Sequence, residues 1–245
     1  MNFKISGKIK CMKFMFSILI LLLLSCNTES KKSNYTPDPN RYNVGFLIMD
    51  GTYNTELTAP FDIFQHTIFR KGIKSMNTFL IADTYHPVRT FEGIQLIPDY
   101  NYLKDDIPNI DILVVPSAEH HLDSDLENEN MISWVSAVGN KAMYVTSHCD
   151  GAFVLAKAGL LDGYVSTTFP SDIGAYRKRF PHLDVREDVL FVHDDKYITS
   201  AGGAKSFEAA LYLSELLYGD SIARSLASGL VIDWNLDDVD HIVIE

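Results

Sequence analysis

Apolar positions run along this chain in two alternating rhythms. The stretch 42–50, "YNVGFLIMD", is a continuous apolar run stopped by Asp50-Gly51, the pattern of a strand buried on both faces. "NTFLIAD" (77–83), "IDILVVPSA" (110–118) and "AMYVTS" (142–147) repeat it. Between them lie helical patterns. "TAPFDIFQHTIFRKG" (58–72) offers Thr58 as N-cap, Pro60 in the first turn and Gly72 at the end. "NMISWVSAVGN" (130–140) closes on a Gly-Asn pair, and "GAFVLAKAGLLDG" (151–163) follows a strand directly. "PVRTFEGIQLIPDY" (87–100) reads as two short strands around Glu92-Gly93. "VREDVLFVHDDKYITSAGG" (185–203) reads as a hairpin turning at Asp194-Asp195. "AKSFEAALYLSELLYG" and "SIARSLASGLVI" are closing helices, and Asp237, Asp238 and Asp240 read as a solvated acidic tail.

Continuous apolar strands alternating with helices predict an α/β fold, a mostly parallel sheet covered on both faces. Ligands of such sheets bind beyond the carboxyl ends of the strands. Three strands end at "DGTYNTE", "PSAEHH" and "SHCDGA", so these turns are expected to share one crevice.

The first 26 residues follow another pattern. Lys4, Lys8, Lys10 and Lys13 precede the apolar run "FMFSILILLLL", which is shorter than the roughly 20 residues a membrane span needs. Cys26 follows a small residue and precedes the polar run "NTESKKSNYTPDPN". This resembles a bacterial lipoprotein signal, which implies cleavage before Cys26, lipidation of its thiol and a place in the bacterial cell envelope. The expected organisation is a signal over 1–26, a flexible tether over 27–40 and one domain over 41–245.

The whole chain has a net charge of −11. The signal holds four lysines and no acid, so the remainder carries 17 basic against 32 acidic residues, a net charge of −15. Such a surface repels phosphate backbones and excludes nucleic acid as a partner. Any membrane attachment would then depend on acyl chains at Cys26. Of three cysteines, Cys11 and Cys26 lie in the signal, so Cys149 is the one thiol of the domain. No intradomain disulfide is expected. No His/Cys/Asp/Glu spacing predicts a metal site.

Cys149 stands between an apolar strand and a helix, a strand-to-helix elbow that pushes a side chain out above the sheet. The start of the following helix favours a thiolate, whereas Asp150 adds negative charge beside the sulfur and opposes it. Gly151 lets the backbone turn tightly, and the N–H groups after the cysteine are candidates to face a developing oxyanion. His148 should point into the sheet packing, and His66 reads as structural.

Over Arg41 to Ile232 the chain resembles the ThiJ/PfpI family of the class I glutamine amidotransferase-like superfamily. The branch in question holds isonitrile hydratases and the sensor domains of AraC-type regulators. The resemblance rests on "VGFLIMDGTYNTELTAPFDIF", "FEGIQLIPD", "DILVVPSA", "SHCDGAFVLAKAGLLDGYVSTT" and "YITSAGGAKSFEAALYLSELLYG", in that order. It implies a flavodoxin-like three-layer sandwich, a nucleophile-elbow cysteine at Cys149 and a homodimer, with no cofactor. Glu56 falls on the family's loop carboxylate, which partial burial would keep protonated. Ala118 falls where a glycine N–H serves as oxyanion donor, with the Asp150 N–H as partner. Asp150 is a second candidate acid or base. Tyr53, Ser117, His120 and Phe169 are expected around a substrate, although Glu119-His120-His121 also reads as a surface loop.

Three departures matter. The family's "PGG" is Pro116-Ser117-Ala118 here, the branch's "TTH" is "TTF" with Phe169 in the histidine's place, and Asp150 directly follows the cysteine. No histidine follows Cys149 where a Cys-His-acid triad would need one. The expected activity is addition to a small electrophile such as an isonitrile, an α-oxoaldehyde or an amide-like carbon. The alternative is a non-catalytic ligand-binding or redox-sensing module using Cys149. Regulation by DNA contact ranks below both, because the chain is acidic and ends at Glu245 without the helix-turn-helix domain of such regulators.

Overall fold

A computed structural model describes residues 33–244. The expected signal, Cys26 and residues 27–32 of the expected tether lie outside the described residues. In chain order the strands are β1 (Tyr42–Leu47), β2 (Met76–Ala82), β3 (Val88–Arg89), β4 (Gln95–Leu96), β5 (Tyr100–Asn101), β6 (Ile112–Val115), β7 (Tyr144–His148), β8 (Val165–Ser166), β9 (Asp184–Val185), β10 (Phe191–Asp194), β11 (Tyr197–Ser200) and β12 (His241–Val243). The helices are α1 (Asn54–Gln65), α2 (Glu129–Lys141), α3 (Gly151–Lys157), α4 (Ile173–Arg179), α5 (Ser206–Tyr218) and α6 (Asp220–Gly229).

Eight strands form one sheet in the order β12-β10-β11-β7-β6-β1-β2-β5. The run from β11 to β5 is parallel throughout, and β10 and β12 run the other way. Alternation along the strands feeds two separate cores. Val44, Phe46 and Ile48 pack against Leu57 and Ile63 of α1, Leu213 of α5 and Leu226 of α6. Leu47, Leu113, Val115 and Val145 pack on the opposite face against Val135 of α2, Phe153 of α3 and Tyr176 of α4. The fold is therefore a flavodoxin-like three-layer sandwich with a mostly parallel sheet. The chain moves from β1 out to β2 and β5, then returns to β6 on the other side of β1. That reversal opens a crevice beyond the carboxyl ends of β1 and β6.

Several expectations need correction. Helix α1 begins four residues before Thr58. Thr58 Oγ1 bonds the Asn54 carbonyl one turn back at 2.8 Å, and the Glu92 carboxylate accepts the Asn54 N–H at 3.0 Å. This earlier start puts Glu56 in the first turn. The hairpin of β10 and β11 turns at Asp195-Lys196, with Asp195 at φ +55°, one residue later than expected. The acidic tail is exposed in its side chains but not free in its backbone. Leu236–Asp238 form a 3₁₀ turn, β12 pairs with β10, and His241 stacks on Phe191 at 5.0 Å. Residues 33–40, expected as tether, lie against the domain. Tyr35 packs on Phe79 and Tyr100, and Ser33 Oγ donates to Asp99 Oδ1 at 3.1 Å.

Candidate active site

The crevice gathers four turns. The β1–α1 loop is tied to the turn after β6. Tyr53 N–H donates to the Ser117 carbonyl at 3.0 Å, Glu119 N–H donates to the Gly51 carbonyl at 3.1 Å, and Thr52 bridges Ala118. The elbow after β7 and the turn after β11 meet at Cys149, whose N–H donates to the Ser200 carbonyl at 2.9 Å.

Cys149 sits at φ +52°, a left-handed conformation uncommon for a residue with a side chain. Packing enforces it. A Cβ on Gly151 would collide with the Val115 carbonyl oxygen, and one on Gly202, itself at φ +78°, would collide with the Cys149 backbone and Cβ. The elbow can therefore form only where both neighbours are glycine. It leaves Cys149 only 6% exposed.

Two carboxyls flank the thiol. Glu56 is buried; its Oε1 accepts the Gly203 N–H at 3.1 Å and its Oε2 the Ser117 N–H at 3.3 Å. Burial pushes its pKa up, against the pull of those N–H groups and of a hydrogen bond from the thiol. Asp150 is also buried. Its Oδ2 accepts from the Cys149 thiol at 3.6 Å, and its Oδ1 accepts from Thr168 Oγ1 at 3.1 Å. Burial first, then the Asp172 charge, pushes Asp150 up to about 7. The thiol pKa is driven strongly upward by burial and by the charges of Glu56 and Asp150. The Ser117 hydroxyl and the Asp150 N–H work in the other direction. The helix-start effect expected to favour a thiolate loses, because α3 spans only seven residues and the sulfur is dry. The resting site is a neutral thiol between two carboxyls that hold protons unusually well.

The remaining candidates divide. Ser117 is buried beside the thiol. Tyr53 stands at the rim, tilted against Phe91 with ring centroids 4.7 Å apart, its hydroxyl within the field of Cys149. The Ala118 N–H, expected as a free oxyanion donor, donates to His121 Nδ1 at 3.2 Å; the amide is there, but its hydrogen is occupied. His120 is exposed and pairs with Asp123 at 3.4 Å. It lines a cavity of about 400 Å³ with Met49, Asp50, Asp83 and Asp125, and neither Cys149 nor Glu56 belongs to that lining. Phe169 is 38% exposed. Among the described residues no hydrogen bond or ring contact joins it to the thiol. His148 lies in the interior, its Nδ1 3.0 Å from Ser200 Oγ. No group of His, Cys, Asp and Glu among the described residues could hold a metal ion.

Three participants escaped the sequence reading. Thr168 Oγ1 bridges the Cys149 carbonyl and Asp150. The Gly203 N–H holds Glu56. His121, read as part of a surface loop, is fully buried. Thr168 lies in the "STT" run, where a paired Ser/Thr stretch beside an elbow acid is the signal that could have pointed to it.

The DJ-1/PfpI family model matches residues 42–216. Among curated proteins, the chain is 29% identical over 184 residues to the isonitrile hydratase of Pseudomonas putida, covering 74% of each chain. It is 22% identical over 202 residues to the HTH-type transcriptional regulator GbdR of Pseudomonas aeruginosa, covering 82% of this chain and 54% of the regulator. Among solved structures, a ThiJ/PfpI family protein from Pseudomonas syringae superposes with a TM-score of 0.70 at 20% identity, over 82% of this chain and 84% of that one.

Proposed function

The chain belongs to the DJ-1/PfpI family, and from that premise we propose that it is a cysteine-dependent enzyme acting on a small electrophilic carbon. An isonitrile is the substrate class its hydratase relative supports. The observation that carries this reading is the packing of one thiol and two buried carboxyls in a single crevice, with the Cys149 thiol 3.6 Å from Asp150 Oδ2 and within the field of Glu56.

The protonation states assign the steps. The resting thiol is neutral, so its proton must leave as sulfur attacks. Asp150, near half-ionised at neutral pH, accepts that proton across 3.6 Å. Glu56, whose pKa burial raises, donates a proton to the isonitrile carbon. The S–C bond forms and the product is an enzyme-bound thioimidate. Water then adds to the same carbon, one of its protons going to nitrogen and the other back to Glu56. The C–S bond breaks, Asp150 returns its proton to sulfur, and an N-substituted formamide leaves. One water is consumed and no electrons change hands. The same groups would serve addition to an α-oxoaldehyde or an amide-like carbon.

A panel of isonitriles and methylglyoxal, offered to the full-length protein and to Cys149→Ala, tests this. Loss of the nucleophile should lower turnover by about 10³-fold or more; equal turnover by both proteins sinks the reading. The neutral thiol and the occupied Ala118 N–H favour a second reading, a ligand-binding or redox-sensing module. Its signature in the same experiment is a wild type that turns over nothing, yet gains one or two oxygen atoms at Cys149 under mild peroxide.

A further inference from the structure

The Ala118 N–H lies in the turn after β6, next to Ser117, which sits beside the thiol. It is placed where a second donor to a bound anion would be useful, yet it is closed. The group that closes it is a buried histidine that no step above employs.

His121 is 0% exposed and spans two compartments. On the thiol side its Nδ1 accepts the Ala118 N–H at 3.2 Å, and the Asp150 backbone carbonyl is a hydrogen-bond acceptor for the ring. Because Nδ1 accepts an N–H it carries no proton, so the ring hydrogen is on Nε2. On the far side Nε2 contacts Met49 Sδ at 3.3 Å, a weak acceptor, and faces Asp125 Oδ2 at 3.8 Å. That carboxylate oxygen is buried and makes no hydrogen bond among the described residues. Behind it opens the cavity of about 400 Å³, walled by Met49, His120, Asp125, Asn128 and Met131. The ring thus has a strong acceptor within one short movement, and empty volume in that direction.

We infer that His121 is a positioning residue that latches the Ala118 N–H. With the ring in place, the amide is bonded to Nδ1 and unavailable at the thiol site. With the ring turned toward Asp125, Nε2–H bonds Oδ2 and the amide is open to an oxygen or nitrogen of a molecule bound at Cys149. The exchange trades the N–H···N bond, the N–H···S contact and the ring's bond to the Asp150 backbone for a charge-assisted N–H···O bond, and it leaves the Ala118 N–H to be paired by the bound molecule. Substrate completes the donor set by displacing the ring, and the cavity side gains a voice in the thiol site. This inference rests on the cysteine-dependent reading above.

The test compares two reagents on the full-length protein. Iodoacetamide alkylates Cys149 by displacement at a methylene carbon, so no oxygen develops on the carbon bonded to sulfur. Methylglyoxal forms a hemithioacetal whose oxygen does need a donor. His121→Leu should raise methylglyoxal adduct affinity on the order of tenfold, the worth of one hydrogen bond, with alkylation rate changed less than about twofold. Asp125→Asn, which keeps the ring and weakens its alternative acceptor, should lower adduct affinity. An unchanged ratio of adduct affinity to alkylation rate in His121→Leu overturns the latch. Should that variant not fold, nitrogen-15 NMR of the wild type reads the same contact. An unprotonated His121 Nδ1 and an Ala118 amide that shifts on adduct formation support the latch; an Nδ1-protonated ring or an unmoved amide overturns it. A thiol inert to both reagents overturns the catalytic reading, and the latch is then decided by the resting ring alone.

Discussion

Two corners of the crevice face one another and are held in different ways. The elbow after β7 is fixed by the core. Its positive φ, its two obligatory glycines and the bond from Cys149 N–H to the Ser200 carbonyl leave one conformation. The turn after β6 is fixed by a loop. Its carbonyl and N–H groups are paired with Gly51, Tyr53 and Glu56, and its Ala118 N–H with His121. The elbow presents its reactive atom at a standing cost in strain, whereas the opposite turn withholds its donor. Rigidity belongs to the nucleophile and adaptability to the anion donor, and each can be disturbed alone.

The largest expected effect comes from placing the same atom at each corner. Gly151→Ala drives a Cβ into the Val115 carbonyl oxygen, which is backbone and cannot turn aside. We expect a loss of about 3 kcal/mol or more, a fall in Tm of roughly 6–12 °C for a chain of this size. The reverse change across the crevice, Ala118→Gly, removes a Cβ from a residue without positive φ, and its cost is that of added backbone freedom, about 1 kcal/mol or less. Thermal unfolding of both variants checks the pair. Equal losses would mean that the elbow is no more tightly specified than the turn.

The next effect is in pH. Each corner is backed by a buried neutral histidine: His148 behind the elbow and His121 behind the turn are both lowered by burial from 6.5 to about 3. The folded state therefore binds fewer protons at these rings than the unfolded chain, and stability falls as pH drops from 6.5 toward 3. Asp150 acts in the opposite sense. Raised from 3.8 to about 7, it binds a proton in the folded state first, and so adds stability as pH falls through that window. Glu56 shifts in the same direction as Asp150. The two pairs offset one another in the wild type. Asp150→Asn removes one compensating proton, so between pH 6.5 and 4 its stability should decline more steeply than the wild type's by about 1.4 kcal/mol per pH unit. Urea unfolding at pH 6.5, 5.5 and 4.5 measures both slopes, and parallel lines would show that Asp150 does not titrate as described.

What the sequence made legible follows from the same contrast. Long apolar runs such as 42–50 and 110–118 have one reading, a doubly buried strand, and they placed the sheet and both cores. Cys149 and Asp150 were legible because an elbow is a local device, whereas Glu56 was placed only by its match to the family's loop carboxylate, since the helix was expected to begin after it, at Thr58. The two-residue strands β5, β8 and β9 carry no periodicity to read. Helix α4, with Arg177, Lys178 and Arg179 in its last turn, shows no apolar stripe of useful length. The acidic tail misled because its side chains are solvated while its backbone extends the sheet. His121 misled for a different reason. Glu119 and His120 are exposed polar neighbours, and only tertiary packing turns the next residue inward to meet Ala118, Met49 and Asp125. A donor's availability is a property of what else bonds it, and no sequence position records that.

The smallest effect reaches the turn after β6 through its brace. Glu92, on the loop between β3 and β4, accepts the Asn54 N–H at the start of α1, and neighbouring Phe91 packs its ring, tilted, against Tyr53. Tyr53 in turn holds the Ser117 carbonyl. Glu92→Gln keeps the shape but removes the charge from a helix N-terminus, a loss of about 0.5 kcal/mol at an exposed position. So small a change should hardly move Tm. Its consequence is local, because the first turn of α1 and the turn after β6 share one set of hydrogen bonds, whereas the elbow hangs from β11. Amide hydrogen exchange should quicken at Ser117 and Ala118, about twofold for such a loss, and stay unchanged at Cys149. Equal acceleration at all three amides would join the two corners into one unit and remove the division of labour between a fixed nucleophile and an adjustable donor.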